Sequence, residues 1–368
     1  MKPKVFVTAE WPETGHQALA ELGFRVAVGG WGTTGRPLGT QALAAAAAGA
    51  SVLIVEVEEV TSALLDRLPG LTVVGAARGV PSNVDVAACT RRRIPVLHAP
   101  ARNAESVADF TLGLIVACCR GISAGERHLR TQGWLVGDEV PYRHFRGPEL
   151  AGRTLGLIGC GAVGERVAAR AALGLGMRVI HSDPDRPSVP HSTVASLPGL
   201  LRSADVVSLH CARSAQTAGL IGAPELAAMK PGSYLINTAG GGMVDESALV
   251  AALKQHHLAG AALDVFATEP LPPDSPLRSC PDLMLTPHLA GAASDVPAHH
   301  ARLLCDDLAR LSRGQPPRHC ANGMAIRAAP VPARLSPGWR GPVIQSSSQS
   351  QAELGLLGPL TPVAEPGR

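Results

Sequence analysis

The feature that most restricts this chain is Gly159-Cys160-Gly161-Ala162-Val163-Gly164, set directly after the apolar run Leu155–Ile158. A strand that enters a helix through this spacing uses the first glycine for a tight turn. The second lets the main chain approach a diphosphate, and the third lets helix and strand pack closely. The new helix then offers its free N–H groups to phosphates. The next apolar run, Arg178–His181, leads to Asp183, placed about 20 residues after the third glycine as a dinucleotide fingerprint requires. A carboxylate there accepts hydrogen bonds from ribose hydroxyls and repels a 2′-phosphate, so NAD is the expected cofactor. Its contacts are assigned to Gly159, Gly161, Ala162, Val163, Gly164 and Asp183, with Arg186 as a nearby cation.

Apolar runs alternate with helical-period segments on both sides of this motif. Before it, Lys4–Thr8, Arg25–Val28, Ser51–Val55, Thr72–Gly75 and Pro95–His98 read as strands, with helices at Thr61–Leu68 and Asp85–Arg93. From it onward, Thr154–Ile158, Arg178–His181, Val206–His210, Tyr234–Asn237, Gly260–Leu263 and Leu283–Thr286 read as six more. Helices are expected to start near Ala162, Val194, Pro224 and Asp245. Such alternation predicts an α/β chain with parallel sheets covered on both faces. The stretch from Asn103 to Gln132 reads as one long helix, too apolar for a single stripe and therefore buried or a subunit contact. A last helix, Val296–Arg313, is expected to return to the first sheet. From residue 323 to 368 prolines and the polar run Ser346–Gln351 replace periodic apolar faces, and a disordered tail is expected.

Composition excludes several classes. A formal charge of +3 with scattered basic residues, and aromatic residues at 3%, give no basic stripe or stacking platform for nucleic acid. The longest apolar stretch, Ala42 to Val55, is too short to span a bilayer. The eight cysteines form no C-x-x-C pair, so neither zinc nor a disulfide framework is expected, and no metal site is assigned. With an N-terminus that runs straight into Val5-Phe6-Val7, the cytoplasm is the expected location.

Three later segments carry the chemistry: Asn237-Thr238-Ala239-Gly240, Asp264-Val265-Phe266-Ala267-Thr268-Glu269-Pro270, and Thr286-Pro287-His288. Each stands where a strand ends, the place at which open α/β sheets bind ligands. His288 exchanges a proton near neutral pH and Glu269 is suited to hold its imidazole. Together with the glycine fingerprint, these segments resemble the D-isomer-specific 2-hydroxyacid dehydrogenase family, in a branch similar to phosphoglycerate dehydrogenase. The resemblance extends upstream through Gly79-Val80-Pro81-Ser82-Asn83-Val84-Asp85 and Asn103-Ala104-Glu105-Ser106-Val107-Ala108.

The resemblance implies a Rossmann NAD-binding domain, residues 103–292, inserted into a flavodoxin-like substrate domain made of residues 1–102 and 293–322. It implies His288 as acid/base, Glu269 as its partner, and His210, Thr238, Ala239, Asp264 and His288 beside the cofactor. Arg78, Gly79 and Val80 would face the substrate, a small 2-hydroxy or 2-keto acid, polar or phosphoglycerate-like. A homodimer built partly by the long helix follows from the same resemblance. One departure is marked: the family carries an arginine after Asn237-Thr238-Ala239, and this chain has Gly240. Glycine cannot imitate a bidentate guanidinium. Either Arg78 or Arg102 supplies the charge, or the protein binds NAD(H) and catalyses weakly.

Overall fold

The computed structural model describes residues 2–323; the tail expected from 323 onward lies, Gly323 apart, outside them. The first sheet takes β1 (Lys4–Val7), β2 (Arg25–Val28), β3 (Ala50–Val55), β4 (Val73–Ala76) and β5 (Val96–His98). Its order is β2-β1-β3-β4-β5 with every pairing parallel, the flavodoxin-like arrangement. Helices α1 (Glu13–Glu21), α2 (Trp31–Thr34), α3 (Thr40–Ala46), α4 (Ser62–Arg67) and α5 (Val86–Arg91) connect the strands.

Strand side chains alternate between two cores. Leu53 and Val55 join one apolar cluster, and Val52 and Ile54 the other. The alanine-rich segment after Gly39 separates into α3 and β3 through the turn at Gly49, whose φ is 70°. Helix α1, absent from the helices expected from the sequence, starts directly after Pro12, its N-cap. Gly15 lies inside it because a Cβ there would stand 2.5 Å from the Trp11 indole nitrogen.

The expected long helix is two helices, α6 (Ala104–Cys119) and α7 (Ile122–Gln132), bent by 61°. The break falls at Gly121, which is left-handed at φ 62°. The chain at Gly147 crosses so close to the end of α6 that a Cβ there would be 1.9 Å from the Cys119 carbonyl. Helix α6 buries Val107, Leu114 and Ile115, whereas α7 buries nothing. No single helix among the described residues is long and apolar enough to cross a membrane.

The second sheet follows: β6 (Thr154–Ile158), α8 (Ala162–Leu175), β7 (Arg178–Ser182), β8 (Thr193–Val194), α9 (Leu197–Ser203), β9 (Val206–Leu209), α10 (Ala223–Ala228), β10 (Ser233–Asn237), α11 (Glu246–Lys254), β11 (Leu258–Leu263) and β12 (Leu283–Leu285). Seven strands run in the order β12-β11-β10-β9-β6-β7-β8, all parallel, a Rossmann sheet with one strand added. The helix expected near Val194 starts instead at Leu197, where Ser196 accepts the Gly199 N–H as N-cap. Val194 ends β8, a two-residue exposed edge strand too short to leave an apolar run.

Helix α12 (Val296–Ser312) returns to the first sheet and packs on α1 and β5 through Leu304 and Leu308. Asn322 then closes the edge of β5: its Oδ1 accepts from Val96 N at 3.0 Å and its Nδ2 donates to Ile94 O at 2.9 Å. An otherwise open row of strand donors and acceptors is thereby covered.

Candidate active site

Strands β6 and β9 are neighbours although the chain leaves β6 for β7 and β8 before returning. The crevice between the turn after β6 and the end of β9 is therefore a topological switch point. Gly159 opens that turn at φ 83°, and a Cβ on it would stand 2.5 Å from Cys211 N. A Cβ on Gly164 would lie 2.7 Å from Gly159 O, which fixes the close approach of α8. Gly161 differs: nothing lies within 4 Å of its Cβ position. It caps α8 with no side-chain acceptor, so the first amides of the helix, from Ala162 and Val163 onward, are open to an anion. These residues fit a dinucleotide diphosphate.

Gly159→Ala violates both conformation and space. We expect at least a tenfold loss of NADH affinity by calorimetry, on the order of one lost charge-assisted contact.

Asp183 directly follows β7 and binds the turn itself, its Oδ2 accepting from Cys160 N at 2.7 Å and its Oδ1 from Asp185 N at 2.9 Å. Arg186 pairs with Glu165 of α8 at 2.8 Å, so its charge is offset locally. His210 lies across the crevice, Nε2 2.9 Å from Ser208 Oγ, and burial pushes its imidazole down to about 3, leaving it neutral. Thr238 is buried and hydrogen-bonds Thr111 of α6 at 2.9 Å. Ala239 N donates to Asn237 Oδ1 at 3.0 Å, and Asn237 Nδ2 donates to Gly240 O at 3.1 Å, so one side chain shapes the loop after β10.

Glu269 and His288 come together. His288 Nδ1 is 2.7 Å from Glu269 Oε2. An ionised carboxylate only accepts, so Nδ1 carries the hydrogen and Nε2 is the ring nitrogen left for a reacting group. Glu269 Oε1 accepts from Phe266 N at 2.9 Å. Partial burial pushes the Glu269 carboxyl up, but the His288 and Phe266 hydrogen bonds and the charges of His288 and Arg213 outweigh it and hold the group below its ordinary value.

His288 sits at φ 56°, with its N–H on Asp264 O at 2.9 Å. Asp264 is 0% exposed and secures the loop: Oδ1 accepts from Thr286 Oγ1 at 2.6 Å and Leu289 N at 2.8 Å, and Oδ2 from Ala290 N at 2.8 Å.

Arg78, Gly79 and Val80 lie at the carboxyl end of β4, in the other sheet. Gly79 O meets His98 Nδ1 at 2.8 Å, Arg78 O accepts from Ala99 N, and Val80 is exposed. The Arg78 guanidinium donates to Glu56 O at 3.3 Å. Arg102 pairs with Glu56 at 2.7 Å and also reaches His300 Nδ1 at 2.9 Å. No hydrogen bond among the described residues joins Arg78, Gly79 or Val80 to the His288–Glu269 pair.

Sequence reasoning named Asn237 and Thr286 only as parts of their segments, without a role, and passed over Arg213. Arg213 follows the His210 strand end, and its Cβ lies 3.4 Å from where a Cβ on Gly240 would be. Its signal was weak, a lone cation in a non-periodic loop.

A cavity of about 360 Å³ borders the site, between Glu105, Ser106 and Phe110 of α6 and Leu289, Ala290 and His299. A larger one, about 820 Å³, is lined by Thr154 and Arg178 at the amino ends of their strands, the wrong end for this chemistry. Among the described residues no cluster of His, Cys, Asp or Glu side chains is arranged to hold a metal.

Comparison with known proteins gives a consistent picture. The family described as "D-isomer specific 2-hydroxyacid dehydrogenase, NAD binding domain" matches residues 112–290. The chain is 43% identical over 259 residues to an (S)-sulfolactate dehydrogenase of Chromohalobacter salexigens, covering 69% of this chain and 82% of that one. It is 34% identical over 288 residues to a glyoxylate reductase of Thermofilum pendens, covering 76% and 84%. Among solved structures, the TT0316 protein of Thermus thermophilus superposes with a TM-score of 0.75 at 36% identity, over 86% of this chain and 99% of that one.

Proposed function

The chain belongs to the D-isomer-specific 2-hydroxyacid dehydrogenase family, and from that premise we propose that it interconverts a small, unphosphorylated D-2-hydroxy acid and its 2-keto acid with NAD(H). The observation that carries the reading is the Glu269–His288 contact at 2.7 Å, on a loop fixed by buried Asp264. In this reading residues 103–292 hold the nucleotide and residues 1–102 with 293–322 the acid.

The diphosphate would rest on the amides of Gly161, Ala162 and Val163, with Gly159 and Gly164 shaping the turn. Asp183 would take the adenosine ribose hydroxyls; its carboxylate and the offset charge of Arg186 favour NAD over NADP. His210, Thr238, Ala239 and Asp264 would line the nicotinamide end. The bound nicotinamide supplies or removes the hydride at the substrate's reacting carbon. His288 Nε2 gives a proton to the carbonyl oxygen in reduction and takes one from the hydroxyl in oxidation. Glu269 holds the imidazole in the tautomer this requires through the contact at Nδ1. Arg78, Gly79 and Val80 would close the site from the other sheet. Arg102, already neutralised by Glu56, is poorly placed to hold a phosphate, which favours glyoxylate-sized acids over phosphoglycerate-like ones.

A screen of 2-keto and 2-hydroxy acids with NAD(H) and NADP(H) tests the reading. Turnover of a short keto acid with NADH is expected; no turnover with any acid and either cofactor would refute it. Gly240 favours a second reading, a nucleotide-binding protein with weak catalysis. NADH binding without turnover, restored by Gly240→Arg, would select it.

We further place the protein in the cytoplasm as a homodimer. Its eight free thiols suit a reducing compartment. Around α7 the chain exposes Ile122, Leu129, Trp134 at 68% and Tyr142 at 83%, an apolar surface suited to a second copy. Light scattering is expected to give twice the chain mass, falling to one chain in the double variant Trp134→Ser, Leu129→Ser; a monomeric wild type would exclude it.

A further inference from the structure

We infer that Arg213 supplies the cation that holds the substrate's carboxylate, its stem standing beside Gly240, where no side chain competes with it. The inference rests on the 2-hydroxy-acid reading above and deepens it. Any 2-hydroxy or 2-keto acid brings a carboxylate into the crevice, and removing that charge from water requires a partner.

The two cations near the other sheet are already engaged. Arg102 pairs with Glu56, at 16% and 11% side-chain exposure, and also contacts His300. Its guanidinium only donates, so His300 Nδ1 is the acceptor there and Nε2 donates to Glu10 O at 2.8 Å. Arg78 is turned toward the Glu56 carbonyl.

Arg213 is exposed, and no ion pair or hydrogen bond ties its side chain among the described residues. It sits three residues past His210, at the mouth of the switch-point crevice. Its stem passes Gly240: a Cβ on Gly240 would meet Met243 Cε at 3.1 Å and Arg213 Cβ at 3.4 Å. Any longer side chain at 240 would compete with Arg213 for that volume. The loop cannot retreat, because a Cβ on Gly241 would stand 1.7 Å from Phe266 O and Asn237 fixes Gly240 from behind. Phe266 in turn carries the amide that binds Glu269. The Arg213 charge also contributes, after the contacts of His288 and Phe266, to holding the Glu269 carboxyl low, so it lies within electrostatic reach of the residue that positions His288. Missing bulk at one position and a displaced guanidinium at another are thus parts of one arrangement.

The test measures oxalate, a carboxylate mimic of the substrate, binding by calorimetry to the wild-type protein–NADH complex and to Arg213→Met, Arg213→Lys and Arg202→Met. Arg213→Met keeps the stem and removes the charge. It is expected to bind NADH as before and to lose about twentyfold or more in oxalate affinity, the scale of a charge-assisted bidentate contact. Arg213→Lys should recover part of the loss, added guanidinium ion should restore oxalate binding to Arg213→Met, and Arg202→Met, which removes an exposed cation of α9, should stay within about threefold of wild type. Equal oxalate affinity in Arg213→Met and wild type overturns the inference. So does a wild-type complex that binds NADH but no oxalate, which leaves the nucleotide reading standing. Failure of the wild type to bind NADH at all would sink both.

Discussion

His288→Gln is expected to lower kcat by about 10²- to 10⁴-fold while leaving NADH affinity within a few-fold of wild type, the range that positioned proton transfer contributes. The reason lies in the geometry of one ring. Its Nδ1 is committed to Glu269 at 2.7 Å and its backbone N–H to Asp264 O at 2.9 Å, so Nε2 has a fixed direction and a fixed tautomer. Glutamine can keep the contact to Glu269 but carries no exchangeable proton near neutral pH.

Glu269→Gln should cost less, on the order of tenfold, because the imidazole survives and loses only its charged partner. The pH profile separates the two residues. Glu269 is held below its ordinary value of 4.5, so its contact with His288 is present above that pH and is lost as the pH falls through the lowered value. An acid limb of activity seen in the weakly acidic range therefore does not report Glu269. A limb that moved when Glu269 alone was changed, without any change in the protonation of His288 followed by NMR, would contradict this assignment.

Asp264→Ala is the second large effect, and it acts on stability as well as rate. The carboxylate is fully buried and takes Thr286 Oγ1, Leu289 N and Ala290 N at once. Alanine leaves three donors without an acceptor, the buried Ala290 amide and the partly buried Thr286 hydroxyl and Leu289 amide; at about 1–3 kcal/mol for a buried donor and less for the two that water can reach, a loss on the order of 3–5 kcal/mol is expected. For a domain of this size that corresponds to a fall in Tm of roughly 10 °C. Activity should vanish with it even where the protein stays folded, since the released segment carries His288. Asp264→Asn should fall between, retaining one acceptor while turning an NH₂ toward donors. A calorimetric scan of Asp264→Ala that matched wild type would show that the loop is held by something else.

How far the sequence predicts this structure depends on whether a residue's role is set by its own backbone or by a distant neighbour. Gly159 and Gly164 were legible because a turn and a close helix approach forbid a Cβ locally, and the pairing of Glu269 with His288 was legible through the family resemblance, both residues following strand ends. The break between α6 and α7 was not legible. Gly121 alone can be accommodated in a helix at modest cost, and the bend is enforced by Gly147 crossing at Cys119, 26 residues beyond Gly121 in sequence. The start of α9 was misplaced at Val194 although Ser196 with Pro198 marked it, because β8 is formed by pairing with β7 rather than by its own propensity. The sequence does not reveal that Glu56 engages both Arg102, through its carboxylate, and Arg78, through its carbonyl, because the two contacts join segments 22 and 46 residues apart. Arg213 was invisible because what distinguishes it is an absence, the missing side chain of Gly240 beside it.

The most direct measurement is a single turnover: the protein loaded with NADH, mixed rapidly with excess glyoxylate and followed by nicotinamide absorbance, beside His288→Gln treated identically. The wild-type complex should consume its bound NADH and form glycolate in equal amount, while His288→Gln should hold its NADH essentially unchanged over the same interval. If the wild-type complex leaves its NADH untouched with glyoxylate and with longer keto acids, or if His288→Gln consumes it at the wild-type rate, the Glu269–His288 pair is not the proton-transfer centre described here.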